Sequence, residues 1–194
     1  MAVMNITGRN PLILALLLTA MAACATAPPP TAEETGILER ARADIARGDF
    51  DWALYDLERY LEGDPHRNLL AEAHFLAGEA AKGGVDRSRE EGKYTGLVLG
   101  TIIGPLMEKA YFHYLQAGGA ARQEELAARS YTMAAVMVDI DYMKRFEEAL
   151  SLYRRVMDRY PASASAPKAA ERYGNLEDKF RKLQMSPHGV GVSP

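Results

Sequence analysis

Cys24 is the single thiol in 194 residues, and His66, His74, His113 and His188 are the four imidazoles. A lone cysteine forms no internal disulfide, and a metal centre gathers several ligands, so neither framework role suits Cys24. The histidines fall in separate segments, without the His-Glu-x-x-His spacing that sets two rings on one helix face. They read as solvated or core side chains, and no metal is expected. Glu90/Glu91, Glu124/Glu125 and Glu147/Glu148 are chain neighbours. On a helix neighbours point about 100° apart, so each pair reads as a solvated face and not as the facing carboxylates of a glycosidase. Nucleophile-elbow and phosphate-loop spacings are absent. The expectation is a protein that is not an enzyme and has no cofactor.

The surroundings of Cys24 supply a different chemistry. Residues 1–10, MAVMNITGRN, are polar with one cation, Arg9, and residues 11–23, PLILALLLTAMAA, are apolar and close on small side chains. That order is the order of a secretory signal. At 1.5 Å per residue the apolar run covers roughly 20 Å, short of the roughly 30 Å hydrocarbon core. The segment resembles a bacterial lipoprotein signal, with Met21, Ala22 and Ala23 in the lipobox positions before the cysteine and Met21 where leucine is usual. The resemblance implies that residues 1–23 are removed and that Cys24 carries diacylglycerol and a further acyl chain, the only covalent group expected. Ala25 stands where aspartate would retain a lipoprotein at the inner membrane, so the resemblance implies the outer membrane, facing the periplasm. An ordinary cleaved signal with a bystander cysteine is the alternative.

Cleavage before Cys24 subtracts 23 of 194 residues to leave 171, about one domain. It also subtracts Arg9 and no acid, taking the net charge from −3 to −4. A mildly acidic chain without a clustered basic face excludes nucleic acid as the expected partner and favours proteins. Residues 24–33 contain three consecutive prolines and read as an extended spacer, and residues 185–194 read as a frayed tail.

Between these ends the composition is rich in Ala, Leu, Glu and Arg and lacks alternating β-branched runs, which predicts an all-α fold. In FDWALYDLERYLEGDP, residues 50–65, Phe50, Ala53, Leu54, Leu57, Tyr60 and Leu61 share one helical face. FEEALSLYRRVMDRYP, residues 146–161, repeats the pattern with Phe146, Ala149, Leu150, Tyr153, Val156 and Met157, at an offset of 96 (146 minus 50). Arg59/Arg155, Pro65/Pro161, Ala73/Ala169 and Gly78/Gly174 coincide at the same offset, so the chain contains an internal repeat. A small alanine lets a neighbouring helix approach, an aromatic wedges the pair, and a proline ends the second helix. Upstream, Gly48 is expected to end one helix with a positive φ and Asp49 to cap the next.

Gly48, Phe50, Ala53 and Pro65 in the first copy, and Phe146, Ala149, Tyr153 and Pro161 in the second, resemble the tetratricopeptide repeat in type and spacing. The resemblance covers roughly residues 34–80 and 128–183, lacks the Trp-Leu-Gly-Tyr part of the consensus, and has Lys144 at the later turn glycine. It implies stacked helical hairpins over residues 34–184. The endings EGDPHRNLLAEAHFLAGEA and DRYPASASAPKAAERYG are similar to those of BamD-like and pilus-assembly lipoproteins. In that family the first helix of a hairpin lines the concave face, which would place Tyr131, Val138, Asp141 and Tyr142 at a partner-binding groove, with core packing as the alternative.

The middle of the chain is less regular. Gly96 to Met107 form an apolar run of about 12 residues, expected as a buried helix, within which Gly96, Gly100 and Gly104 recur every four residues. Such a stripe permits close helix contact, as in membrane dimers. Whether residues 84–127 complete a repeat or form an insertion stays open. The expected function is a lipid-anchored, periplasm-facing scaffold that binds envelope proteins or extended peptides during assembly or maintenance of an outer-membrane protein or pilus complex. Two alternatives are a periplasmic cell-wall enzyme with a helical superstructure and a membrane-associated homo-oligomer through the glycine stripe.

Overall fold

A computed structural model describes residues 28–90, 99–139 and 145–185. These residues are helical, with no strand among them: α1 (Ala32–Arg47), α2 (Phe50–Glu62), α3 (Leu70–Glu90), a π-helical turn (Leu99–Ile103), α4 (Gly104–Ala120), α5 (Glu124–Asp139), α6 (Phe146–Arg159) and α7 (Ala166–Met185). The signal segment, Cys24 and residues 186–194 of the tail lie outside the described residues.

The first helix begins earlier than the proline-rich spacer suggested. Thr31 Oγ1 accepts the Glu34 amide at 3.2 Å while the Glu34 carboxylate accepts the Thr31 amide at 2.8 Å, a reciprocal capping box that starts α1 at Ala32. Before it, the Pro28 carbonyl lies 2.5 Å from His66 Nε2 on the α2–α3 turn. In the described part of the spacer expected over residues 24–33, Thr31 keeps extended backbone (φ −70°, ψ 160°) and the helix takes over at Ala32. At the far end of α1, Gly48 adopts φ 83°. Its amide donates to Ile45 and the Asp49 amide to Asp44, which closes the helix as a Schellman motif. Asp49 does not cap α2 as expected. Its backbone (φ −82°, ψ 54°) leaves the extended region from which an N-cap side chain reaches the helix amides, and its carboxylate instead takes Arg47 Nε at 3.1 Å.

Each helix runs antiparallel to the next. Phe50 at the start of α2 meets Gly83 late in α3, Gly78 of α3 meets Tyr114 of α4, Gly118 of α4 meets Tyr131 of α5, and Lys179 of α7 meets Phe146 of α6. Contacts also join α1 to α3 and α5 to α7, so helices alternate between two faces. Ala53 and Ala149 are both fully buried, as are Leu57 and Tyr153 at equivalent places in α2 and α6. Pro65 and Pro161 stand just beyond the ends of those helices. The close approaches at the glycines are demanding: a Cβ on Gly83 would lie 2.3 Å from the Phe50 ring, and one on Gly78 would lie 2.7 Å from the Tyr114 ring.

The apolar run expected as one buried helix from Gly96 divides differently. Its described part is the π turn followed by α4, with Ile103, Gly104 and Met107 buried and Ile102 exposed. Gly96 lies outside the described residues, and Gly100 and Gly104 fall in different elements. No described helix is long and apolar enough to cross a membrane. α4 packs on α3 and α5, so the described part of residues 84–127 supplies the second helix of a middle hairpin.

α7 stands at the place in the 96-residue repeat that α3 holds in the first copy. Phe75, Ala81 and Val85 are buried in α3, whereas Glu171, Glu177 and Arg181 stand exposed at the equivalent places in α7. Gly174 faces open space where Gly78 meets Tyr114.

Candidate functional site

α1, α3 and α5 line a groove of about 360 Å³. Its floor is apolar, with Phe75, Leu76, Ile45 and Leu126, and its rims carry Arg42, Glu72, Glu79 and Arg129. The Arg129 guanidinium lies 4.5 Å from the Phe75 ring centroid, a cation–π arrangement that fixes both. Arg42 pairs with Glu72 across α1 and α3. Beneath them Tyr114 donates to Glu79 at 2.6 Å, tying α4 to the groove wall. Burial, followed by the Glu79 charge, holds the Tyr114 hydroxyl well above the usual phenol range. Such a surface can take an apolar side chain on the floor and charges of both signs on the rims, as an extended peptide offers.

Of the four residues expected at a groove, Tyr131 and Val138 are described. Tyr131 is buried against Gly118, stacks on Tyr160 with centroids 6.3 Å apart, and is covered by Arg155 at 4.8 Å. Val138 is fully buried. Asp141 and Tyr142 lie outside the described residues. Tyr131 and Val138, seven residues apart, share the inward stripe of α5, whereas the groove takes Leu126 and Arg129. Arg129 is two positions from Tyr131 and so points to the opposite side of the helix. The apolar stripe was visible in the sequence, but its pairing with α6 and not with a partner depends on the stack.

Of the residues shared between the two repeat copies, Tyr153 ties three helices together. Tyr153 donates to Asp139, which also receives Arg172 at 3.1 Å, so one carboxylate joins α5, α6 and α7. Burial and that carboxylate push the Tyr153 hydroxyl far up. Tyr111 on α4 is raised likewise by burial and by Glu148 of α6, its hydrogen-bond acceptor.

A second groove, about 600 Å³, opens on the side of α2 and α4 and is lined by Glu58, His74, Lys109, Phe112 and His113 among others. His74 on α3 and His113 on α4 stand with their Nδ1 atoms 3.1 Å apart, although 39 residues separate them in the chain. Lys109 donates to both oxygens of Glu58, at 2.6 and 2.9 Å, and Glu58 in turn lies 3.6 Å from His113 Nε2. Burial, with the neighbouring His113, lowers His74 from 6.5 to about 4. His113 is also lowered by burial, against the opposing pull of Glu58. Reading histidines one segment at a time missed this pair, because only the α3–α4 hairpin brings them together. Outside it, α2 presents Trp52, 69% exposed, edge-on to Tyr55 at 6.3 Å.

Fold and grooves together define an all-helical protein built of alternating, antiparallel helices. No protein-family model matches the chain, and no curated protein or solved structure does either.

Proposed function

We propose that this chain is a lipid-anchored scaffold of tetratricopeptide-like hairpins that holds a protein partner at the periplasmic face of the outer membrane. The observation that carries the reading is the α1/α3/α5 groove, an apolar floor between charged rims on helices locked by glycine-to-aromatic contacts. A rigid groove loses little entropy on binding an extended segment, which suits recognition. The repeat resemblance at Gly48, Phe50, Ala53, Pro65, Phe146, Ala149, Tyr153 and Pro161 supports the same architecture, and the α1–α3 and α5–α7 contacts are those that stacked hairpins make. The lipobox-like run before Cys24 supports the anchor. Several acyl chains hold a protein on a bilayer where one holds it marginally, and confinement to one plane raises the effective concentration of membrane-bound partners.

Two experiments test the reading. Metabolic labelling with an alkyne palmitate should mark wild type and leave Cys24→Ala unmarked, and equal labelling of both contradicts the anchor. Affinity capture from mildly cross-linked, detergent-solubilised membranes should enrich a defined set of envelope proteins with wild type and lose it with Arg129→Glu. Capture of the same set by Arg129→Glu contradicts the groove.

A further inference from the structure

We propose that His74 and His113 form a binding site for a divalent transition-metal ion, with Glu58 holding His113 in the required tautomer. The two Nδ1 atoms converge from different helices to 3.1 Å. Metal–nitrogen bonds of about 2.0–2.1 Å to both atoms would subtend an angle of about 98° across that 3.1 Å separation, between a right angle and the tetrahedral angle. A pair of imidazoles is the donor set that Zn²⁺, Cu²⁺ and Ni²⁺ prefer over Mg²⁺ or Ca²⁺.

The groups around the pair arrange the protons for this. The Glu58 carboxylate, 3.6 Å from Nε2 of His113, favours the proton on that nitrogen by its charge, which leaves Nδ1 as a lone-pair donor. Without metal, that lone pair accepts the Nδ1 proton of His74, and binding an ion displaces this one proton to solvent or to His74 Nε2. Lys109 is neutralised by Glu58 at 2.6 Å, so the nearest cation is already paired. Among the described residues no third His, Cys, Asp or Glu completes a ligand set. Water fills the remaining positions through the open groove, which makes the site solvent-accessible and exchangeable.

The test is titration of the full chain, in detergent, with Cu²⁺ read by electron paramagnetic resonance and with Zn²⁺ read by calorimetry. Expected is one ion per chain, with nitrogen hyperfine structure from two imidazoles in the Cu²⁺ spectrum. His74→Gln and His113→Gln should each weaken binding about a hundredfold and remove one nitrogen from the pattern. Glu58→Gln should weaken it about tenfold with both nitrogens retained, the scale of an outer partner that orients a ligand. His188→Gln and Cys24→Ala should bind as wild type does. The wild-type spectrum does not depend on any variant folding, and circular dichroism verifies each variant. Absence of stoichiometric binding to wild type, or an unchanged spectrum in the His74→Gln/His113→Gln double variant, overturns the site.

Discussion

Glycines on the repeat-related helices α3 and α7 have opposite consequences in this chain. Gly78 and Gly83 of α3 lie under aromatic rings with no room for a Cβ, while Gly174 of α7 has nothing within 4 Å. Gly83→Ala is expected to destabilise the protein by about 1–3 kcal/mol through displacement of Phe50, whereas Gly174→Ala should gain up to about 1 kcal/mol from helix propensity. Urea unfolding of the two variants measures the contrast, and similar effects from both would contradict the packing. The 96-residue offset made Gly78 and Gly174 equivalent in the sequence. Their difference was illegible there because it depends on the Tyr114 ring that α4 sets against Gly78. The histidine pair was illegible for the same kind of reason. It has its own pH signature: His74 titrates near 4 when folded and near 6.5 when unfolded, so the unfolded chain binds protons that the folded chain refuses. Its contribution is fully present above about pH 6.5 and declines as the pH falls toward 4. The loss of thermal midpoint between pH 7.5 and pH 5 should therefore shrink in His74→Gln, and an unchanged loss contradicts the lowered value.

At the scale of elements, helix positions and partners were legible where residue types carry geometry. The all-α expectation, the turn at Gly48 and the α2/α6 repeat all follow from helical spacing, small residues and aromatics, and the helices form where that pattern predicts. Gly48→Ala should cost about 1–2 kcal/mol, since φ 83° places a Cβ against the following carbonyl and 3.1 Å from Arg87. An unaltered unfolding midpoint would contradict the left-handed turn. The phase of α5 was not legible. Periodicity found its apolar stripe, with Tyr131 and Val138, but an apolar stripe serves a core as readily as a groove, and here Tyr160, Arg155 and Gly118 cover it. The three prolines signal extension without showing what they touch, and the Pro28 carbonyl touches His66.

For the whole molecule, α7 packs on α6 and touches α5. Exposed Glu171, Glu177 and Arg181 stand at the places equivalent to buried Phe75, Ala81 and Val85, so its outer face is hydrated. Truncation after Arg159 should lower the thermal midpoint by several degrees and promote aggregation, since it uncovers α6 and removes Arg172 from Asp139. A truncated chain as stable and monomeric as the full one would contradict the packing of α7 on α6.

The central claim is that the α1/α3/α5 face holds a protein partner, and the most direct measurement is photo-cross-linking in intact cells. A photo-reactive phenylalanine analogue is placed at position 129, in the groove, and in a separate strain at position 174, on the outer face of α7. A discrete adduct is expected from position 129, recurring with the same partner and absent from position 174. No adduct from position 129, or identical adducts from both positions, would contradict it.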